Sequence, residues 1–106
     1  MIQIYITKVK HATIVEVIGH ADYAPKGHDI VCSAISTLFV TLHKTIKARS
    51  QSHIEYTQGQ NNTSILFIQD EDEVAQNALN YFLDGCEGVA EAYPLNVEVS
   101  RHQFKG

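Results

Sequence analysis

The stretch DIVCSAISTLFVTLHKTIKA, residues 29–48, marks the point at which the hydrophobic pattern of this 106-residue chain changes. Before it, apolar residues alternate with a period of two, whereas within it they recur at helical spacing. At about 100° per residue, these apolar positions cover roughly half of the helix circumference. The spacing predicts an amphipathic helix to about Ala48. Asp29 is a good N-cap, because its side chain accepts from free backbone amides.

Upstream of this helix the pattern predicts a hairpin. Residues 2–9 alternate in the manner of a strand, and residues 13–18 are rich in β-branched side chains. Residues 10–12 form the predicted turn between them. Gly19 closes the second strand, and a loop punctuated by proline and glycine leads to the helix.

Downstream, residues 53–58 and 63–69 predict a second hairpin around the sequence GQNN. Asp70 and Glu73 predict a capping box, so this acidic run is interpreted as a helix start rather than a metal site. The second amphipathic helix follows to about residue 90, and residues 95–99 form the last strand after Pro94. We therefore expect a single α+β domain over residues 1–106, with a mostly antiparallel sheet, two packed helices and the order ββ-α-ββ-α-β.

Composition and charge narrow the class of protein. With 44% hydrophobic residues the chain can bury a core, and its net charge of -4 argues against a nucleic-acid partner. The basic cluster His43, Lys44, Lys47 and Arg49 is interpreted as complementing the negative end of the first helix. No signal peptide and no apolar run of membrane-spanning length is apparent. We expect a cytoplasmic protein with reduced thiols and no membrane partner.

The two cysteines differ in their helical positions. Cys32 falls on one flank of the first helix with Asp29 and Ser36, just off the apolar stripe, whereas Cys86 falls inside its own stripe. Cys86 is therefore interpreted as a core residue. Cys32 lies in the first turn, where free amides and the helix dipole favour an anion, and this suits a nucleophilic thiolate.

A nucleophilic cysteine needs a base, and His20 is the candidate because it begins the loop that returns to the helix start. Asp29 could orient this imidazole, or it could only cap the helix. Ser36, one turn after Cys32, could bond near the thiolate or to the backbone. We expect the backbone amides at the helix start to meet the oxyanion of an acyl-transfer reaction.

A metal site is the alternative interpretation of the same stretch. His28 and Cys32 are four residues apart on one helix face, with His20 and Asp29 nearby, and such a set could bind zinc or copper. The chain has neither a CxxC nor an HxxxH pair. We therefore expect no metal and no cofactor.

Residues 19–21, Gly-His-Ala, precede a short loop and the sequence GHDIVCSAIS at residues 27–36. This pattern resembles the ribosomal processing cysteine proteases of bacteria. Their motif is Gly-His-Ala, a short loop, and Gly-x-Asp-x-Val-Cys followed by small residues and a serine. Chain length and element order agree as well, so the resemblance covers essentially the whole chain.

Carried over by position, the resemblance implies that His20 is the catalytic base and Cys32 the nucleophile. It implies a supporting part for four further residues: Gly19, Gly27, Asp29 and Ser36.

The resemblance also implies a homodimeric endopeptidase. Its substrate would be large-subunit ribosomal protein twenty-seven, from which it removes an N-terminal extension by cutting after paired aromatic residues. Three alternatives stay open: a prophage-type protease that processes a capsid or scaffold protein, a non-enzymatic ribosome-associated module, and a metal-binding module.

Overall fold

The computed structural model describes residues 1–25 and 29–103. Gly27, a predicted supporting residue, and His28 lie outside the described residues. The elements follow the predicted order ββ-α-ββ-α-β, so the predicted fold class is confirmed. Their bounds are β1 Ile2–Val9, β2 Ala12–Ile18, α1 Ile30–Arg49, β3 His53–Gln58, β4 Thr63–Gln69, α2 Glu73–Ala92 and β5 Val97–Gln103.

The five strands form one sheet in the order β3-β4-β2-β1-β5. Neighbouring strands run antiparallel except β1 and β5, which are parallel. The parallel pair arises because α2 carries the chain from β4 across the sheet to its far edge. In the antiparallel pairing of β2 with β4, Ile18 lies opposite Thr63, which brings the end of β2 beside the turn between β3 and β4.

Both helices cover the same face of the sheet. Alternate residues of the central strands are buried beneath them, among them Ile4, Val15 and Leu66, each fully buried. Phe39 of α1 and Phe82 of α2 meet edge to face with 6.2 Å between ring centroids. The buried stripe of α1 consists of Val31, Ile35, Phe39, Leu42 and Ile46.

Gly85 allows the two helices to approach closely. A Cβ atom at this position would lie 2.7 Å from a methyl carbon of Leu38 on α1. Cys86, the next residue, is fully buried as predicted, and burial raises the pKa of its thiol to about 12, with a further contribution from the Glu87 charge.

The start of α2 differs from the prediction. Asp70 is not the cap: it takes a left-handed φ of 52°, and its N–H donates to the carbonyl of His11. Asp72 caps the helix instead and accepts from the N–H of Ala75 at 2.8 Å. Glu73 is therefore the first residue of α2, so the predicted capping box is wrong in register.

The last strand also begins later than predicted. The N–H groups of Asn96 and Val97 both donate to the carbonyl of Tyr93, which forms a turn after α2. Because this turn occupies the residues through Asn96, β5 begins at Val97 rather than at Leu95. Helix α2 itself ends at Ala92, close to Pro94 as predicted.

Helix α1 is long and apolar enough to cross a membrane, by length and composition. The expectation that no segment approaches that length was therefore too strict. In the structure the apolar stripe of this helix packs into the protein core. Its last turn carries Lys47 and Arg49, as the basic cluster predicted.

Candidate active site

The site begins with a tight turn at the end of β2. Gly19 has a φ of 92°, and a Cβ atom there would lie 2.7 Å from the carbonyl oxygen of Met1. Glycine is therefore the residue that fits this position without strain or overlap. The Gly19 N–H donates to the carbonyl of Asn62 at 3.2 Å, which fixes the chain just before His20.

His20 is exposed, and its ring contacts the neighbouring β3–β4 turn. Its Nε2 lies 2.6 Å from Nδ2 of Asn62, a residue 42 positions away in the sequence. Sequence reasoning placed Asn62 in a hairpin turn but assigned it no role. The signal available in the sequence was weak: asparagine favours turns because it tolerates left-handed φ values better than most residues. Asn61 and Asn62 both take such values in the structure.

Cys32 lies in the first turn of α1 and is partly buried. Its Sγ accepts a hydrogen bond from the backbone N–H of Ala21 at 3.3 Å. Ala21 is buried, and its own carbonyl accepts from Nδ2 of Asn96 at 2.8 Å. The residue after His20 is thus held against the sulfur by a backbone hydrogen bond.

Asp29 is the N-cap of α1 and also anchors the loop that precedes it. One carboxylate oxygen accepts from the N–H groups of Val31 and Cys32, at 3.0 and 2.9 Å. The other accepts from Tyr23 at 3.0 Å and from Ala24 at 3.4 Å. The Cys32 N–H, helped by the two loop amides, holds the pKa of Asp29 below its ordinary value, although burial opposes this.

These hydrogen bonds bear on the expected role of Asp29 and on the expected oxyanion donors. Asp29 is bonded to backbone amides, and the ring of His20 is bonded to Asn62, so the structure shows Asp29 as a cap. The expected oxyanion donors at the helix start are already engaged. Val31 and Cys32 donate to the Asp29 carboxylate, and the Ser33 N–H donates to the Asp29 carbonyl.

Two cavities meet at Cys32. One has a volume of about 240 Å³ and is bordered by the end of β2 and the β3–β4 hairpin. The other has a volume of about 560 Å³ and is bordered by the loop after His20 and the start of α1. His20, Cys32 and Ser36 line both cavities, so the structure brings these three predicted residues together around one open space.

Among the described residues 1–25 and 29–103, the structure shows no set of ligands that would support the metal-site alternative. Within them, no group of three or more histidine, cysteine, aspartate or glutamate side chains is placed to hold an ion. His28, which that alternative required, lies outside them. Cys32 and Cys86 are both free cysteines.

A cysteine in the first turn of a helix and a histidine on the wall of the same cleft are the two groups that a cysteine protease requires. Residues 1–98 match the family model described as cysteine protease Prp, and the chain belongs to this family. The resemblance to ribosomal processing cysteine proteases and the enzyme class that it implied are thereby confirmed.

Solved structures show the same fold. The structure of the essential ribosomal processing protease Prp from S. aureus with a covalently linked product peptide is 26% identical, with a TM-score of 0.88. That similarity covers 95% of this chain and 99% of the other. SMU.848 from Streptococcus mutans is 27% identical with a TM-score of 0.79, covering 98% of this chain and 96% of the other. No curated protein sequence matches this chain significantly.

Proposed function

We propose that this chain is a ribosomal processing endopeptidase. It removes an N-terminal extension from large-subunit ribosomal protein twenty-seven by cutting after paired aromatic residues, and it acts in the cytoplasm. Membership of the cysteine protease Prp family supports this, as does the likeness to the S. aureus enzyme with its covalently linked product peptide. The observation that carries the proposal is the Cys32 sulfur, which faces the Ala21 N–H and a cleft shared with His20.

In the proposed reaction, Cys32 is the nucleophile and His20 the general base and acid. The thiol gives its proton to the imidazole, and the thiolate attacks the carbonyl carbon of the scissile bond. The imidazolium then protonates the leaving amine, and the new amino terminus departs while the acyl group stays on sulfur. Water, deprotonated by His20, hydrolyses this thioester and restores the thiol.

Backbone geometry supports a donor for the oxyanion. The amides of the first turn of α1 are occupied by Asp29, whereas the N–H of Ala21 points at Sγ itself. When the sulfur bonds to carbon, its capacity to accept falls, and this N–H becomes available to the adjacent oxyanion. A backbone donor is suited to this role because its direction is fixed before the reaction begins.

Four residues support this pair. Gly19 allows the turn that presents His20, and Asp29 joins the helix start to the loop. Ser36, exposed on the wall of both cavities, is positioned to contact the peptide. Gly27 is assigned its supporting part by the resemblance alone.

The test is cleavage of a peptide that carries the ribosomal extension and its paired aromatic residues, followed by mass spectrometry. Wild type should cut after the aromatic pair, while Cys32→Ala and His20→Ala should leave the peptide intact. Cys86→Ala is the matched control, because it removes the buried thiol that lies outside the cleft, and it should cut normally. A folded wild-type protein that leaves this peptide intact but cuts a phage capsid or scaffold segment would contradict the ribosomal substrate.

The same proposal includes a homodimer. Both helices lie on one face of the sheet, and the opposite face presents partly exposed apolar side chains on its central strands, including Tyr5, Ile14, Ile65 and Phe67. Sheets of this kind bury their second face when it is apolar, and a second copy of the chain is the occupant we propose. Analytical ultracentrifugation should give twice the chain mass, and Phe67→Lys should give the monomer. A wild-type monomer at micromolar concentration would contradict the dimer.

A further inference from the structure

We infer that Asn62 is a positioning residue for His20, an inference that rests on the proposed function of His20 as the base. In a nucleophile–base pair, a third group orients the base. Asp29, which the sequence left as either an orienting group or only a cap, has its two carboxylate oxygens directed at backbone amides of the helix start and the loop. Asn62 is the side chain that the structure places on the imidazole.

The strand register explains why Asn62 lies there. Ile18 at the end of β2 pairs with Thr63 at the start of β4, so the next residues outward are Gly19 and Asn62. The bond from the Gly19 N–H to the Asn62 carbonyl continues this pairing by one step. The main chain of Asn62 therefore holds the residue before the histidine, while its side chain holds the histidine ring.

The contact occupies one ring nitrogen of His20 and leaves the other for the proposed proton exchange. Asn62 engages Nε2 of His20 at 2.6 Å, so Nδ1 is the ring nitrogen left to exchange a proton with Cys32 across the shared cleft. For Nδ1 to accept the thiol proton, the neutral ring must carry its proton on Nε2. A partner that accepts from Nε2–H favours that tautomer.

An asparagine side chain can pair with the ring whether or not Nε2 carries a proton. With Nδ2 toward the ring, as in the structure, it donates to an unprotonated Nε2. A half-turn about the Cβ–Cγ bond puts Oδ1 in the same place, where it accepts from Nε2–H. In the reacting form, Nδ1 takes the proton of the Cys32 thiol, the S–H electron pair stays on sulfur, and the resulting imidazolium donates from Nε2 to Oδ1.

The experiment compares two neighbouring asparagines. Asn62 and Asn61 have φ values of 56° and 57°, so glycine at either position leaves the backbone unstrained. Asn62→Gly should lower kcat for peptide cleavage by roughly 10- to 100-fold with little change in KM, because the base loses its orientation. Asn61→Gly is the matched control and should cut like wild type. Asn62→Asp should recover most of the activity, since a carboxylate oxygen also accepts from Nε2–H.

A second readout does not depend on the substrate. The ¹⁵N chemical shifts of the His20 ring report its tautomers, and Asn62→Gly should change their populations whereas Asn61→Gly should not. A kcat for Asn62→Gly equal to that of Asn61→Gly overturns the inference and leaves the protease proposal intact. If wild type cuts no peptide, the proposed function fails instead. The tautomer comparison then decides the inference, and unchanged populations in Asn62→Gly overturn it.

Discussion

The two helices begin in nearly the same way, and only one beginning is an active-site candidate. Each has an aspartate N-cap, Asp29 or Asp72, that accepts from the N–H of the third helical residue. Each cap uses its second oxygen to anchor a neighbouring segment: Asp29 bonds the Tyr23 N–H, and Asp72 bonds the Gln51 N–H. In both, these amides hold the pKa of the carboxyl below its ordinary value.

The difference lies in the third helical residue and in what faces it. In α1 that residue is Cys32, partly buried on the wall of a cleft and contacted by the Ala21 N–H. In α2 it is Ala75, which is fully buried in the core. A capped helix start is therefore a general folding device, and it acquires chemistry only where a nucleophile and an overlying loop with a base are added.

The largest effect is expected from changing the third helical residues, Cys32 in α1 and Ala75 in α2. Cys32→Ala should lower peptide cleavage by more than about 1,000-fold, because the proposed nucleophile is removed. Adding Ala75→Cys to that variant restores a cysteine at the equivalent cap position of α2, and activity should stay absent because this thiol is buried away from His20. Cleavage by the double variant, measured by mass spectrometry with folding checked by circular dichroism, would show that the cap position alone is sufficient.

The turn that precedes His20 can be disturbed without changing His20 or Cys32. Gly19→Ala forces a side chain onto a φ of 92° and against the Met1 carbonyl, at a cost of about 1–3 kcal/mol in folding stability. Because His20 follows directly, kcat should fall by roughly 100-fold. Gly88→Ala is the control: its Cβ atom would meet no atom within 4 Å, and it lies in helix α2. That variant should gain about 0.5–1 kcal/mol and retain full activity.

The two thiols sharpen the comparison between cleft and core. At neutral pH, iodoacetamide should alkylate Cys32 at least roughly 100-fold faster than Cys86, as followed by peptide mapping. Cys86 is fully buried, and burial raises its pKa to about 12, so it reacts only when the protein opens. Similar rates at the two cysteines would contradict the placement of Cys86 in the core.

Local pattern predicted most of the fold and singled out His20 and Cys32, which the structure places on the wall of one cleft. The change of period at Asp29 marks the start of α1 because helix periodicity and capping are properties of neighbouring residues. Longer-range relations were not readable in this way. Asp70 and Asp72 are both good caps by type, but the Asp70 N–H bonds the carbonyl of His11, just before the neighbouring strand β2, and Asp72 is the cap. The contact between Asn62 and His20 depends likewise on strand register.

Acid titration tests the aspartate N-cap that the two helix starts share. The pKa of Asp72 falls from 3.8 to about 2, because the Ala75 and Gln51 N–H groups and the Ser50 hydroxyl bond the folded carboxylate. A lowered pKa in the folded state stabilises the protein above the unfolded value of 3.8, and this contribution is lost as the pH falls toward 2. Asp72→Asn removes it, so the decline in Tm over this range should be shallower than in wild type.

Asp29→Asn is the matched variant, because the pKa of Asp29 is lowered for the same reason. It should flatten the acid decline in Tm in the same direction, since an uncharged cap no longer titrates. At neutral pH the two variants should differ. Asp72→Asn should cut peptide like wild type, whereas Asp29→Asn should lose roughly 10-fold in kcat because the Tyr23 and Ala24 amides are held less firmly beside the cleft. Equal activities would mean that both aspartates act only as caps, and that the bonds from the Tyr23 and Ala24 amides to Asp29 do not affect catalysis.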